Sequence, residues 1–320
     1  MSLNNLPIMS EKALTVYGGL DVAKATLQLD WQSHLYDLTN DSAGHARLVK
    51  ILSAVPGAQL ITEATGGYER KPVQALHAAG LSVSVINPAQ TRAFARASGQ
   101  RAKNDPLDAA SLTAYGVAFQ PDPTPIPAAV QTELAALVNW REQLKAALTV
   151  AKNQAEHSEQ KFVCLEHAKL VRQLEKRLAA VALELTALLA RHQEKQKQVD
   201  RLVQIDGVGL LTAVTVLAYM PELGTLNRGQ TAALAGLAPW VRQSGPWEGQ
   251  RHIGGGRAGV RRALYMSAVA SVRCNRQLKA FYKHLRAAGK PPKLALTAVM
   301  RKLLVLMNHA LKDPNFSLAK

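Results

Sequence analysis

The chain is poor in cysteine and lacks the features that mark several whole classes of protein. Its two cysteines, Cys164 and Cys274, are too few for a disulfide framework and are not in paired zinc-ligand spacing. No apolar run approaches the roughly 18 residues that a membrane span needs. The first 12 residues contain no positive patch followed by an apolar stretch, so no secretion signal is expected. These absences predict a reducing cytoplasm as the compartment.

Acidic residues are almost missing from the last quarter of the chain. From Trp240 to Lys320 there are 16 Lys or Arg residues against two acids, whereas the preceding 239 residues carry 23 basic and 21 acidic groups. The net charge of +16 is therefore concentrated in one segment. Such a surface neutralises phosphates and releases counterions, which predicts a nucleic-acid partner. A solvated basic face, or attraction to an anionic membrane, is the alternative.

The first 119 residues alternate between strand-like and helix-like patterns. Short β-rich runs predict strands at Thr15–Asp21, Thr26–Trp31, His34–Leu38, Gln59–Glu63 and Ser82–Ile86. Helical periodicity predicts helices at Ala43–Ser53, Tyr68–Ala79, Ala89–Ala97 and Pro106–Phe119. Three strands followed by alternating helices and strands are typical of an RNase H-like α/β layer.

A proline-rich linker ends this first part and leads into a mostly helical remainder. Residues 121–127 contain four prolines, which favour a stiff extended segment. In the next stretch, apolar residues step by three and four from Leu170 to Leu188, as in a coiled coil. We therefore divide the chain into residues 1–127, a helical coiled-coil connector over 128–200, and a mostly α-helical domain over 201–320.

The C-terminal domain opens with the sequence Ile205-Asp206-Gly207-Val208-Gly209, followed by an apolar helix. This pattern is typical of a helix-hairpin-helix, in which glycines let backbone N–H groups approach a DNA phosphate at a helix N-terminus. We therefore expect Gly207 and Gly209 to contact nucleic acid. Glycine-rich turns of this kind are also common where no ligand binds.

Four acidic residues of the N-terminal part stand at positions that suit a metal site. Asp21 and Glu63 close two predicted strands, and Asp105 and Asp108 occupy one face of the first turn of a later helix. Carboxylates that converge repel one another unless a cation compensates them, and a set of oxygen ligands suits Mg²⁺ or Mn²⁺. Taken singly, each acid is as well explained by a helix cap or an exposed strand end.

At these residues the sequence resembles a known family, the DEDD transposases of insertion sequences, which are relatives of the Piv DNA invertase. The N-terminal motifs that carry the resemblance are Gly19-Leu20-Asp21-Val22-Ala23-Lys24, Glu63-Ala64-Thr65-Gly66-Gly67-Tyr68, Val85-Ile86-Asn87-Pro88 and Lys103-Asn104-Asp105-Pro106-Leu107-Asp108-Ala109. The C-terminal motifs are Ile205-Asp206-Gly207-Val208-Gly209, Leu234-Ala235-Gly236-Leu237-Ala238-Pro239, Gln243-Ser244-Gly245 and Arg261-Arg262-Ala263-Leu264-Tyr265-Met266.

The resemblance implies a RuvC-like N-terminal domain, a coiled-coil connector and a C-terminal transposase domain. It implies that Asp21, Glu63, Asp105 and Asp108 hold magnesium, and that Ser244 attacks DNA to give a transient phosphoserine link. It also implies a structured bridge RNA as guide, double-stranded donor and target DNA as substrates, and dimers that assemble into a tetramer. One departure is that Ile253-Gly254-Gly255-Gly256-Arg257 stands where some relatives carry a Ser-Lys pair.

The surroundings of Ser244 in the sequence are basic and aromatic. A serine before a glycine is more often a simple turn than a nucleophile. We expect a group of cations to contact nucleic acid, namely Lys103, Arg242, Arg251, Arg257, Arg261 and Arg262. Trp240 and Trp247 flank the serine; we expect apolar packing of both, with base stacking as the alternative.

Three other functions fit parts of the sequence. A RuvC-like junction nuclease would use the same four acids for metal-dependent hydrolysis without a covalent intermediate. A non-enzymatic nucleic-acid scaffold would need no metal. A sugar or acetate kinase would use the glycines before Asp21 as a phosphate loop, but the chain lacks a second nucleotide-binding domain and carries the basic C-terminal segment. Each of these alternatives therefore fits less of the chain than a DNA recombinase does.

Overall fold

A computed structural model describes residues 15–99, 105–240, 243–244, 247–249, 251–313 and 315–316. The chain forms two compact units, 1–126 and 127–320, and the boundary between them along the chain falls within the proline-rich segment. Because the second unit contains both the expected connector and the expected C-terminal domain, the finer division into three parts stays a prediction.

The first unit is built on a five-stranded sheet with the strand order β3-β2-β1-β4-β5. The strands are β1 (Val16–Val22), β2 (Thr26–Trp31), β3 (His34–Thr39), β4 (Ala58–Glu63) and β5 (Ser82–Ile86). The first three form an antiparallel meander, whereas β4 and β5 run parallel to β1. The bounds agree with the predicted strands to within one residue.

Helices cover both faces of this sheet. They are α1 (Ser42–Ser53), α2 (Arg70–Ala78), α3 (Pro88–Ala97) and α4 (Asp105–Phe119). One face packs its leucines and Trp31 against α1 and α2, with Leu48, Leu52 and Leu76 fully buried. The other face places Ile61 and Ile86 against Leu112 and Tyr115 of α4. The alternation of strand side chains between the two faces thus supplies both layers of the core.

Helix α4 lies directly on β1 because two glycines leave room for its backbone. A Cβ atom on Gly19 would lie 2.0 Å from the carbonyl oxygen of Ala109 and 2.6 Å from the backbone nitrogen of Thr113. A Cβ on Gly116 would lie 2.7 Å from Cγ1 of Ile61. No side-chain rotation relieves a clash with backbone atoms, so the helix would have to move away from the sheet.

We expect the substitution Gly19→Ala to destabilise the first unit by about 1–3 kcal/mol, the usual cost of overpacking a core. The measurement is chemical denaturation followed by circular dichroism. Gly254→Ala is the matched control, because a Cβ atom there meets nothing within 4 Å and its φ is not positive. If both variants unfolded at the wild-type denaturant concentration, the close packing of α4 on β1 would be disproved.

The second unit is mostly helical and begins with a long helical hairpin. Helices α5 (Ala129–Glu156) and α6 (Lys161–Arg191) pack along each other. Leu174, Val181, Leu185 and Leu188 of the predicted apolar stripe are buried, whereas its first member, Leu170, is 41% exposed. The stripe therefore forms a packing seam everywhere except near the tip of the hairpin.

The rest of the second unit consists of helices that pack on one another and a short β-ribbon whose first and last strands are exposed. The elements are α7 (Gln193–Val203), α8 (Leu210–Tyr219), α9 (Arg228–Leu234), β6 (Pro239–Trp240), β7 (Gln243–Ser244), β8 (Trp247–Glu248), β9 (His252–Ile253), α10 (Ala258–Cys274), α11 (Arg276–Ala287) and α12 (Pro292–Lys312). In the ribbon, β6 pairs with β9 and β7 pairs with β8, both antiparallel. The predicted helix Leu210–Tyr219 is confirmed.

Helix α12 corrects the expectation that no segment is long and apolar enough to cross a membrane. By length and composition alone this helix passes that test. It is the central helix of the second unit's core, however, with Val299, Leu303, Leu304 and Met307 buried at 3% exposure or less. Burial of this face against α10 and α11 accounts for its apolar composition.

Candidate functional site

Asp21 and Glu63 lie at matching positions of two neighbouring parallel strands. The last residue pairs between β1 and β4 are Gly19 with Ile61 and Leu20 with Thr62, so each acid stands one residue further along. Adjacent strands are about 4.8 Å apart, and residues in register point to the same face. The two carboxylates therefore lie at the same end of their strands and on the same face of the sheet, and both are partly exposed.

The N-terminus of α4 reaches the same end of β1. Ala109 and Thr113 contact Gly19, whereas Gly116 contacts Tyr17, so α4 runs antiparallel to β1. Residues before Ala109 therefore lie towards the end of the strand that carries Asp21. Asp108 directly precedes Ala109 and is partly exposed. Asp105 begins the helix one turn earlier, but its side chain lies outside the described residues.

Glu63 has a hydrogen-bond donor that the sequence did not reveal. The hydroxyl of Thr91, in the first turn of α3, donates to Glu63 Oε2 at 2.7 Å. Thr91 is only 8% exposed. Asn87 caps α3 by accepting from the backbone of Ala89, with Pro88 at the first helical position. The Asn87-Pro88 pair thus fixes the helix start that brings Thr91 to the carboxylate.

The loop that follows Glu63 is held by a second acid, Glu69. One oxygen of Glu69 accepts hydrogen bonds from the backbone and hydroxyl of Thr65 at 3.1 and 2.9 Å and from the backbone of Gly67 at 2.8 Å. Burial raises the pKa of Glu69, but a hydrogen bond from its own backbone N–H and those from Thr65 and Gly67 outweigh burial, so that the net pKa lies below its ordinary value. Gly66 and Gly67 have φ values of +80° and +121°, which explains the two glycines.

Asn40 ties together the two loops that follow the candidate ligands. Its Nδ2 donates to the carbonyl of Ala23 at 2.8 Å and to the carbonyl of Tyr68 at 3.4 Å. Its Oδ1 is therefore the acceptor for Nε2 of buried His45, at 2.7 Å. Asn40 and His45 were missed by sequence reasoning because three separate segments must fold before they meet.

The burial of His45 predicts a pH dependence of stability. Burial lowers the pKa of His45 below its ordinary value; Asp41 raises it in part and Lys71 lowers it further. Below the unfolded pKa of about 6.5, the unfolded chain therefore binds more protons than the folded one. Stability is fully present above about pH 6.5 and falls as the pH drops towards the folded pKa.

We expect His45→Gln to flatten this fall between about pH 6.5 and pH 5. The measurement is the thermal unfolding midpoint as a function of pH. His34→Gln, which removes an exposed imidazole from β3, controls for the loss of a histidine as such. An unchanged pH profile in the His45 variant would contradict a pKa lowered by burial of this imidazole.

Within the described residues, no group of three or more His, Cys, Asp or Glu side chains stands close enough together to hold a metal ion. Asp21 and Glu63 are adjacent, Asp108 is at the same end of the sheet, and the side chain of Asp105 lies outside the described residues. The donor set is entirely carboxylate oxygen, which fits Mg²⁺ or Mn²⁺ and does not suit zinc.

Ser244 lies at the tip of the ribbon in the second unit. It ends β7 and pairs with Trp247 across the hairpin, so its backbone belongs to a strand. Its side chain lies outside the described residues.

The predicted cations fall into three groups. Arg251 and Arg262 are exposed. Arg257 forms an ion pair with Glu222 at 2.6 Å, and Arg261 donates to the backbone carbonyls of Ala235 and Gly255. These two guanidinium groups thus hold the protein's own structure. Lys103 and Arg242 lie outside the described residues.

The two glycines before α8 have different surroundings. Gly207 has a φ of +95°, and a Cβ atom there would lie 2.1 Å from Oγ of Ser271. Close packing on α10 therefore accounts for this glycine without a ligand. Gly209 is the N-cap of α8, and a Cβ atom on it meets nothing within 4 Å. Its contact with nucleic acid stays a prediction.

Trp240 does not pack as expected. It is 63% exposed, so the prediction of apolar packing is wrong for this residue. Its indole Nε1 donates to the carbonyl of Gly254 at 3.3 Å, which fixes the ring against a glycine backbone. The residues beside it are too small to cover its other surface.

Two family models and several known proteins are similar to this chain. A DEDD transposase model of the IS110 type matches residues 19–158, and a model described as "Transposase IS116/IS110/IS902 family" matches residues 199–283. Pilin gene-inverting proteins of Moraxella lacunata and Moraxella bovis are each 28% identical over 304 residues, which is 91% of this chain and 94% of theirs. An uncharacterised insertion element IS110 protein of Streptomyces coelicolor is 27% identical over 150 residues, which is 43% of this chain and 37% of that protein. The chain belongs to the IS110 family of DEDD transposases.

Proposed function

We propose that this transposase cleaves and rejoins DNA through a covalent link to Ser244, with a divalent cation at Asp21, Glu63, Asp105 and Asp108. The observation that carries the proposal is the matching register of Asp21 and Glu63, with the N-terminus of α4 at the same end of β1. The strand order of the sheet supports an RNase H-like, RuvC-like assignment for the first unit.

The four acids would hold Mg²⁺, or Mn²⁺ in its place, through oxygen ligands alone. The bound cation would activate an attacking oxygen and neutralise charge that develops on the phosphate. Thr91 orients Glu63 by its hydrogen bond. Asn40 and Glu69 hold the loops behind Asp21 and Glu63. These three side chains would position the ligands through their hydrogen bonds.

We further propose that a structured bridge RNA guides the protein to donor and target DNA, and that dimers assemble into a tetramer. The concentration of positive charge in the last quarter of the chain supports nucleic-acid binding beyond a single duplex. Exposed apolar side chains on α6, among them Phe162, Leu165 and Leu183, support assembly through a coiled coil. A prokaryotic cytoplasm, beside the nucleoid, fits these partners.

The test is the chemical nature of the DNA product. Purified protein is incubated with Mg²⁺ and a plasmid that carries the ends of its own element, and the DNA is sequenced across the junctions. We expect joined strands and a protein–DNA adduct that resists denaturation. Free ends without an adduct would instead support the metal-dependent junction nuclease. Digestion of copurifying RNA before the reaction is expected to abolish joining; full activity afterwards would overturn the guide.

A further inference from the structure

An open cavity of about 370 Å³ lies beside the exposed indole of Trp240. Among the described residues its walls are formed by Ala233, Ala238, Pro239, Trp240, Gly254 and Gly256, so that the tryptophan is the one side chain there larger than proline. A large flat ring thus bounds a hollow that is otherwise made of backbone and methyl groups. The indole's own packing does not explain this arrangement, since most of the ring is exposed.

The glycine wall of the cavity is held firmly in place. Gly256 has a φ of +56°, and a Cβ atom on it would lie 2.3 Å from the backbone nitrogen of Gly236. The backbone of Arg257 donates to the carbonyl of Leu234 at 2.8 Å, and the side chain of Arg261 donates to Gly255. A preformed hollow of this kind needs little ordering when a ligand enters, which favours binding.

Charge around the cavity indicates what enters it. Arg251 and His252 are exposed on the same ribbon, and Arg262 is exposed on α10. The sequence from Trp240 to Arg262 contains one acidic residue, Glu248. A flat apolar surface with basic residues near it in the chain suits a planar ring that is attached to a phosphate, and aromatic side chains bind unstacked bases in this way.

The position of the cavity links it to the proposed nucleophile. Trp240 precedes Ser244 by four residues on the ribbon, a separation of at most about 13 Å in extended chain. The geometry points to a base-binding site: Trp240 and its glycine-walled hollow hold an unstacked DNA base next to the phosphate that Ser244 attacks. The inferred position of that base, next to the cleaved phosphate, rests on the proposed function. Base binding by Trp240 as such does not. Unstacking would expose the phosphodiester to the serine.

The first experiment measures binding of single-stranded DNA by the full-length protein. The probes are an oligothymidylate of about 16 nucleotides and an abasic strand of the same length. We expect Trp240→Ala to weaken oligothymidylate binding about 5- to 150-fold, the range for loss of one stacked base, and to leave abasic-strand binding unchanged. Trp240→Phe keeps an aromatic ring and should bind nearly as the wild type does.

Trp140→Ala is the matched control, because Trp140 is a 44% exposed tryptophan on α5 that does not line the cavity. The inference is overturned if Trp240→Ala binds oligothymidylate as tightly as the wild type, or loses equal affinity for the abasic strand. An equal loss would mean that the ring acts through the shape of the ribbon.

The second experiment locates the base. Single abasic nucleotides are placed in turn along DNA that carries the element end, and adduct formation is measured. When the abasic nucleotide adjoins the cleaved phosphate, we expect Trp240→Ala and the wild type to form equal amounts of adduct, because no base is left to stack. If the two proteins become equal only with an abasic nucleotide remote from that phosphate, the inferred position of the base is wrong. If the wild type forms no adduct on any DNA, the proposed function fails, whereas the binding experiment still tests the base site.

Discussion

Replacing Ser244 with alanine is expected to abolish strand exchange and the covalent protein–DNA adduct while nucleic-acid binding stays intact. Removal of a nucleophile costs about 10³- to 10⁶-fold in rate when no other group can take its place. The measurements are the yield of joined product, the amount of protein that remains linked to DNA after denaturation, and affinity for DNA and copurifying RNA.

The expected loss follows from the bonds that the serine makes and breaks. In the proposed mechanism its oxygen would form a bond to phosphorus as the bond from phosphorus to a deoxyribose oxygen breaks, and the hydroxyl proton would end on the released sugar oxygen. Attack by another deoxyribose hydroxyl would then reverse the step and free the serine. One phosphoester replaces another each time, so joining needs no high-energy co-reactant. Hydrolysis by water would lose that bond.

Ser98→Ala is the control for this experiment, since it removes an exposed hydroxyl from the end of α3. It should recombine DNA as the wild type does. A Ser244 variant with normal joining would refute the covalent role. If both the variant and the wild type cut DNA to free ends, the protein is a hydrolase, and the serine has no part in the reaction.

The sequence predicts the first unit well because its information is local. Alternation of apolar residues sets each strand, and glycine and Asn87-Pro88 set the breaks, so the strand bounds agree to within one residue. The matching positions of Asp21 and Glu63 then follow from parallel pairing of the two strands that they close. This part of the candidate site thus follows from two local strand patterns and from the pairing of those two strands.

Other features depend on contacts between distant segments and leave no local pattern. The strands of the ribbon have two residues each, too few for any periodicity. Exposure of Trp240 is decided by the small size of residues from α9 and from the Gly254–Gly256 loop. Likewise, Gly207 resembles a phosphate-binding glycine in sequence, but its contact with Ser271 shows that packing alone requires it.

Asp21→Asn is expected to remove recombination almost completely, by about 100-fold or more, without lowering stability. The amide keeps the size of the side chain but supplies a weaker, uncharged ligand for Mg²⁺. Loss of one negative charge also relieves repulsion with Glu63 on the neighbouring strand. Activity should therefore fall while the thermal unfolding midpoint stays constant or rises, which a merely structural aspartate would not produce.

Direct titration with Mn²⁺ separates binding of the cation from its use. The wild type is expected to bind Mn²⁺, and Asp21→Asn to bind it more weakly, whereas Asp122→Asn, an exposed acid of the proline-rich segment, should match the wild type in both binding and activity. A chelator should stop recombination by the wild type, and added Mg²⁺ should restore it. Full activity of the wild type in the chelator, or full activity of Asp21→Asn, would show that Asp21 and Glu63 do not bind a metal ion that the reaction needs.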